Sequence, residues 1–124
     1  LNRQGYISVA QQLQSRFGLK TVAITLRESL SANDNNWGAM LYHEGQAYFS
    51  PTYHIHIVDR VGGGDSFGAG LIYSLLAEKG QQDAINFAAA ASCLKHTIEH
   101  DANLVSIEEV ESLVAGNSTG RVQR

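Results

Sequence analysis

Three consecutive glycines, Gly62, Gly63 and Gly64, lie between Asp59 and Asp65, and an apolar helical pattern follows at once. Glycines have no side chain to keep a ligand at a distance. A turn built from them brings main-chain N–H groups close to whatever sits there. At a helix N-terminus those groups are unpaired, and the helix end carries about half a positive charge, which favours an anion. A phosphoryl group in transfer spreads negative charge over its oxygens, and a cup of amides stabilises that charge. Asp65 is the first side chain past the glycines. A carboxylate there can take a proton from an attacking hydroxyl. The same residues could equally make a plain turn closed by a capping aspartate. The run is not a Gly-x-x-x-x-Gly-Lys-Ser/Thr loop, because no Lys-Ser/Thr follows the glycines. Nor is it Gly-x-Gly-x-x-Gly, since the glycines at 62, 64 and 68 are one residue off that spacing.

Other chemistry-bearing residues are more scattered. His54 and His56 are two apart in an alternating stretch, so they share one strand face, and no third metal ligand accompanies them. Both read as surface residues. His96 and His100, four apart, read as solvent-facing on a helix. Cys93, in an alanine-rich run, reads as a small buried residue.

The elements that position the glycine turn follow from the hydrophobic pattern. Residues 4–17 form an amphipathic helix through Ile7, Ala10, Leu13 and Phe17, stopped by Gly18. Residues 20–26 are β-branched and apolar, the pattern of a strand buried on both faces in a parallel sheet. Residues 27–36 read as a polar loop at the strand's C-terminal end, the edge where open α/β sheets bind ligands. Strands at 37–43 and 46–50 flank a Glu44-Gly45 turn, and a further strand covers 53–58. A helix over 65–79 should bury Phe67, Leu71, Ile72, Leu75 and Leu76, with Gly80 just past its end. Gly68 and Gly70 cost that helix up to about 1 kcal/mol each relative to alanine, so a neighbouring backbone or ligand is expected close by. The helix over 82–96, with small residues from Ala88 to Ser92, should pack closely as well. Ser106-Ile107-Glu108-Glu109 opens a last short helix as a capping box, and residues 116–124 read as a tail.

The 124 residues are 44% hydrophobic and 17% charged, which suits a globular domain with a real core. A net charge of -3 gives no electrostatic reason to expect nucleic acid or an anionic membrane as partner. No stretch reaches the roughly 18 apolar residues of a membrane span. One cysteine rules out an internal disulfide and fits a reducing, cytoplasmic setting. The chain starts Leu1-Asn2-Arg3, and its opening helix–strand pair lacks a preceding strand. Both features are expected of one partial domain from a longer protein.

The run Asp59-Arg60-Val61-Gly62-Gly63-Gly64-Asp65-Ser66-Phe67 resembles the C-terminal signature of the ribokinase-like (PfkB) carbohydrate kinases, usually Asp-Thr-x-Gly-Ala-Gly-Asp-x-Phe. Val58 to Tyr73, Thr25-Leu26-Arg27, Asn36-Trp37, Ala91 to Thr97 and Gly120 to Arg124 are closer still to its 2-keto-3-deoxygluconate kinases. The resemblance covers the whole chain. It implies the C-terminal, ATP-binding and catalytic portion of a three-layer α/β/α fold with a central, mostly parallel sheet. The implied reaction is ATP-dependent phosphorylation of 2-dehydro-3-deoxy-D-gluconate on its 6-hydroxyl, with fructokinase- or ribokinase-type kinases or a non-catalytic nucleotide-binding fragment as alternatives. By the resemblance, Asp65 is the base and touches the sugar, and the Gly62, Gly63 and Gly64 amides form the anion hole. Thr25, Leu26, Arg27 and Ala89 border ATP. Asp101 offers the sugar a polar contact. Asp59 and the Val61 carbonyl sit where many members hold a monovalent cation such as K+. Mg2+ accompanies ATP in the family, through an Asn-x-x-Glu motif absent from these residues. Full-length members are expected to be homo-oligomers, and the fragment alone is expected to be inactive. Two departures stand out: Arg60 replaces the usual Thr, and Gly63 replaces the usual Ala. The second is expected to be harmless, since the amide does the work.

Overall fold

A computed structural model of the chain describes residues 2–58, 62–97 and 106–116. The order of elements is α1 (Arg3–Phe17), β1 (Thr21–Ser29), β2 (Asp34–His43), β3 (Gln46–Phe49), β4 (Tyr53–His56), α2 (Gly63–Leu76), α3 (Gln81–Lys95) and α4 (Ile107–Gly116).

The strand buried on both faces is β2, where every residue from Trp37 to Tyr42 is buried. It pairs with β1 along its full length and with β3 and β4 on its other edge. All three pairings are antiparallel, so the expected mostly parallel sheet is not what these residues form. The cause is the short connections: tight turns join antiparallel neighbours, whereas parallel ones need a long crossover. The strand expected to be doubly buried, β1, buries only Val22 and Leu26 outright.

The polar stretch 27–36 is not a loop. β1 runs on to Ser29, and Arg27, Glu28 and Ser29 pair with Trp37, Asn36 and Asn35. Cross-strand polar contacts sustain this part of the ladder, as where Asn36 Nδ2 donates to Glu28 Oε1 at 2.8 Å. The hairpin between β2 and β3 turns at Glu44-Gly45, as the sequence predicts, with φ of 51° and 77°. β3 and β4 follow one another along the same edge of β2. Between the pairs Met40↔Phe49 and Trp37↔Tyr53 the register slips by one residue, a bulge at Ser50-Pro51-Thr52. There Ser50 closes the ladder with both its N–H and its hydroxyl on Ala39.

Alternation along β2 sorts the core. Met40 and Tyr42 face α1 with Ala10, Val22 and Leu26. On the opposite face, Ala39 and Leu41 meet Phe67 of α2 and Ile85, Ala88 and Ala89 of α3. Trp37, Tyr53 and Ile55 meet Phe87, Ala90, Cys93 and Leu94 of α3, with Val110 and Leu113 of α4. Helices thus cover both faces of the sheet, giving three layers.

α2 differs from its expected orientation. Its buried residues are Gly63, Ser66, Phe67, Gly70 and Ser74, whereas Ile72, Leu75 and Leu76 are exposed. The alanine-rich α3 explains this: a Cβ on Gly70 would lie 3.2 Å from Ala88 Cα and from Ala91 Cβ, so only small residues fit on that side. Gly68 faces open space and makes no such approach. α2 ends at Leu76, and the left-handed residue beyond it is Glu78 at φ 59°, not Gly80. Gly80 is instead the N-cap of α3. The capping box of α4 forms as read: Ser106 Oγ accepts from Glu109 N at 3.1 Å, and Glu109 Oε1 accepts from Ser106 N at 3.3 Å.

Candidate active site

The glycine turn starts α2. Gly62 is the N-cap in the left-handed region at φ 82°, a conformation that costs a residue bearing a Cβ. The first intrahelical bond runs from Ser66 N to Gly62 O at 2.9 Å. The amides of Gly63, Gly64 and Asp65 therefore precede the helix's own bonding and face its open end. Gly62 has no side chain to cap them.

Asp65 is the first acidic residue of α2, in its first turn. It is exposed, and among the described residues its carboxylate takes no hydrogen-bond or ion-pair partner. It is therefore not the N-cap, and it does not reach back to cap the turn. The helix dipole favours an anion at this place. The turn thus combines open amides with a solvent-facing carboxylate.

Behind the turn stand Trp37 and His96. His96 closes α3 and is 4% exposed, so it is not the solvent-facing residue its spacing suggested. Its ring meets Trp37 edge-on, with centroids 4.7 Å apart and planes at 65°. The Trp37 indole is fixed in turn: Nε1 donates to Ser92 Oγ at 2.6 Å, and that hydroxyl donates to Ala89 O at 3.2 Å. The His96 ring also abuts Gly63, where a Cβ would fall 2.5 Å from Nε2. The chain entering the turn is held by the same residue, since Val58 N donates to His96 O at 2.8 Å. Sequence reasoning missed His96. The signal for it was Gly63 itself, a residue smaller than the motif's usual alanine.

Arg27 and Thr25 are exposed on β1 and pair with Trp37 and Ala39, so they occupy the sheet face that carries α3. Trp37 and His96 link that strand end to the glycine turn. Leu26 points to the opposite face, into the core under α1. Ala89 is fully buried between α3 and the sheet, packed with Leu41 and Phe67, so its methyl group serves the core and lines no open surface. Asp59, Val61, Asp101 and His100 lie outside the described residues.

Among the described residues no group of three His, Cys, Asp or Glu side chains could hold a metal ion. His54 and His56 are exposed, with Nδ1 atoms 3.3 Å from Asn36 Oδ1 and 3.1 Å from Asp34 Oδ1. That bond with His56 is the main reason the Asp34 carboxyl is held below its ordinary value. Burial pushes the Cys93 thiol well above the usual thiol range, as expected of an inert core residue. No helix among the described residues is long and apolar enough to cross a membrane.

Residues 3–105 match the family model described as pfkB family carbohydrate kinase. The chain is 52% identical to 2-dehydro-3-deoxygluconokinase of Thermotoga maritima, superposing with a TM-score of 0.89 over 93% of this chain and 35% of that structure. A PfkB family carbohydrate kinase from Listeria grayi is 31% identical, with a TM-score of 0.81 over 85% of this chain and 33% of that one. Among curated proteins, the 2-dehydro-3-deoxygalactonokinase of Haloferax volcanii is 30% identical over 91% of this chain and 33% of its own length. The chain thus spans about a third of the length of the relatives it matches.

Proposed function

Because this chain belongs to the pfkB family of carbohydrate kinases, we propose that it is the catalytic, nucleotide-side portion of a complete sugar-acid kinase. The proposed reaction transfers the γ-phosphoryl group of ATP to the 6-hydroxyl of 2-dehydro-3-deoxy-D-gluconate. The observation that carries this reading is Asp65: an exposed carboxylate in the first turn of α2, directly after the glycines and uninvolved in capping.

In this reading Asp65 accepts the proton of the sugar's primary hydroxyl as its oxygen bonds to the γ-phosphorus. The bond from phosphorus to the bridging oxygen breaks, ADP leaves, and Asp65 passes the proton to water. The amides of Gly62, Gly63 and Gly64, backed by the α2 dipole, stabilise the charge on the transferring oxygens. Thr25 and Arg27 border the nucleotide from β1. The metal that accompanies ATP is held mainly by the phosphates and water and needs only one or two protein carboxylates beside them. Asp59 and Val61 remain the candidates for a monovalent cation, and Asp101 for a sugar contact.

The sugar assignment is supported by relatives named for kinases of two epimeric sugar acids. The test is kcat/KM of the complete kinase on 2-dehydro-3-deoxygluconate, its galactonate epimer, fructose and ribose. The expected result is a clear preference for a 2-dehydro-3-deoxy sugar acid, the gluconate first. A preference for fructose or ribose would overturn the assignment.

A further inference from the structure

We infer that His96 is a positioning residue for the glycine turn, and that Gly63 and His96 are a matched pair. This rests on the phosphoryl-transfer reading above and adds to it a residue outside the glycine–aspartate motif.

Gly63 is buried although it opens a helix. A Cβ placed on it would meet three atoms of one ring: His96 Nε2 at 2.5 Å, Cε1 at 2.8 Å and Cδ2 at 3.3 Å. Its neighbour Gly64 has nothing within 4 Å of the same construction, so the contact belongs to Gly63 alone of the two. The ring therefore lies directly beneath the Gly63 backbone and fills the space of the alanine methyl group usual in the motif. In this chain a methyl group at position 63 would meet a specific side chain, so the glycine and the ring fit one another.

The ring is buried and held against Trp37. Trp37 abuts it edge-on, and the Trp37 indole is tied to Ser92. The main chain of His96 is also fixed, its N–H donating to Ser92 O at 3.2 Å and its carbonyl accepting from Val58 N at 2.8 Å. One residue thus makes contact at two points, at Gly63 and at Val58 on the segment before the turn. The height of the His96 ring sets where the Gly63 amide points. An anion hole works only when its donors are already in place.

The test is a double-variant cycle in the complete kinase. Gly63→Ala should lower kcat by about ten- to a hundredfold, while the nucleotide KM stays within about threefold. His96→Ala should lower kcat by about fivefold, because the turn loses its floor. The double variant Gly63→Ala/His96→Ala should recover to within about threefold of wild-type kcat, since the methyl group then occupies the vacated space. Melting temperatures should follow the same pattern, with the double variant above Gly63→Ala. If Gly63→Ala folds poorly, recovery of soluble protein and melting temperature in the double variant reads the pairing equally well. A Gly63→Ala enzyme with kcat within about twofold of wild type, or a double variant no better than Gly63→Ala in either measurement, overturns the inference. A wild-type enzyme that phosphorylates no sugar overturns the kinase reading instead, and the melting temperatures still decide the pairing.

Discussion

Trp37 and Ser92, 55 residues apart in sequence, are joined by a buried hydrogen bond of 2.6 Å from the indole Nε1 to the hydroxyl. The bond pins α3 to the central strand directly behind the glycine turn. Ser92→Ala would strand a buried N–H and should destabilise the complete protein by about 1–3 kcal/mol. Denaturant unfolding measures this. A loss well below that range would mean the indole finds another acceptor.

Tyr53 is fully buried in the same core, and among the described residues its hydroxyl has no hydrogen-bond partner. Burial chiefly, with the nearby Cys93 adding to it, pushes its pKa up to about 12 from 10.0. A raised pKa means the folded state favours the neutral form. That contribution is complete below pH 10.0 and disappears as pH rises through about 12. Tyr53→Phe removes both the unpaired hydroxyl and the ionisation. Its melting temperature should equal or exceed wild type at neutral pH and fall less steeply in alkali. Parallel alkaline profiles for the two proteins would contradict this.

At the hairpin turn, Glu44 adopts φ 51° ahead of Gly45 at φ 77°. Two left-handed residues in a row make the turn that Asn-Gly fits best. Glu44→Asn should therefore stabilise the protein by about 0.5–1 kcal/mol. The Glu44 side chain is itself exposed, and its contact with half-buried His43, Nε2 to Oε1 at 3.6 Å, offers little to lose. An unchanged or lower melting temperature would refute the prediction.

These cases mark what could be read in the sequence. The Glu44-Gly45 turn, the Ser106 capping box and the helix that follows the glycines carry local signals, and the structure has each in place. Asp34, Asn36 and Glu28 hid a ladder, because polar cross-strand pairs look like a loop when read along one strand. Hydrophobicity alone points Ile72 and Leu76 inward, but the alanines of α3 admit only the small side of α2. The spacing of His96 points outward for a related reason: its burial depends on Trp37 and Gly63, far away in the chain. The antiparallel sheet shows the same limit, since an apolar run reveals burial and not the direction of its neighbours.

In the proposed reaction Asp65 serves as the base in phosphoryl transfer. The most direct test of that role is steady-state kinetics of Asp65→Asn in the complete kinase, with ATP and 2-dehydro-3-deoxygluconate. The amide preserves shape but cannot take the proton, and the backbone amides of Gly62, Gly63 and Gly64 are untouched. The kcat of this variant is expected to be lower by about a hundred- to ten-thousandfold with ATP affinity essentially unchanged. A variant that turns over at near the wild-type rate would contradict that role.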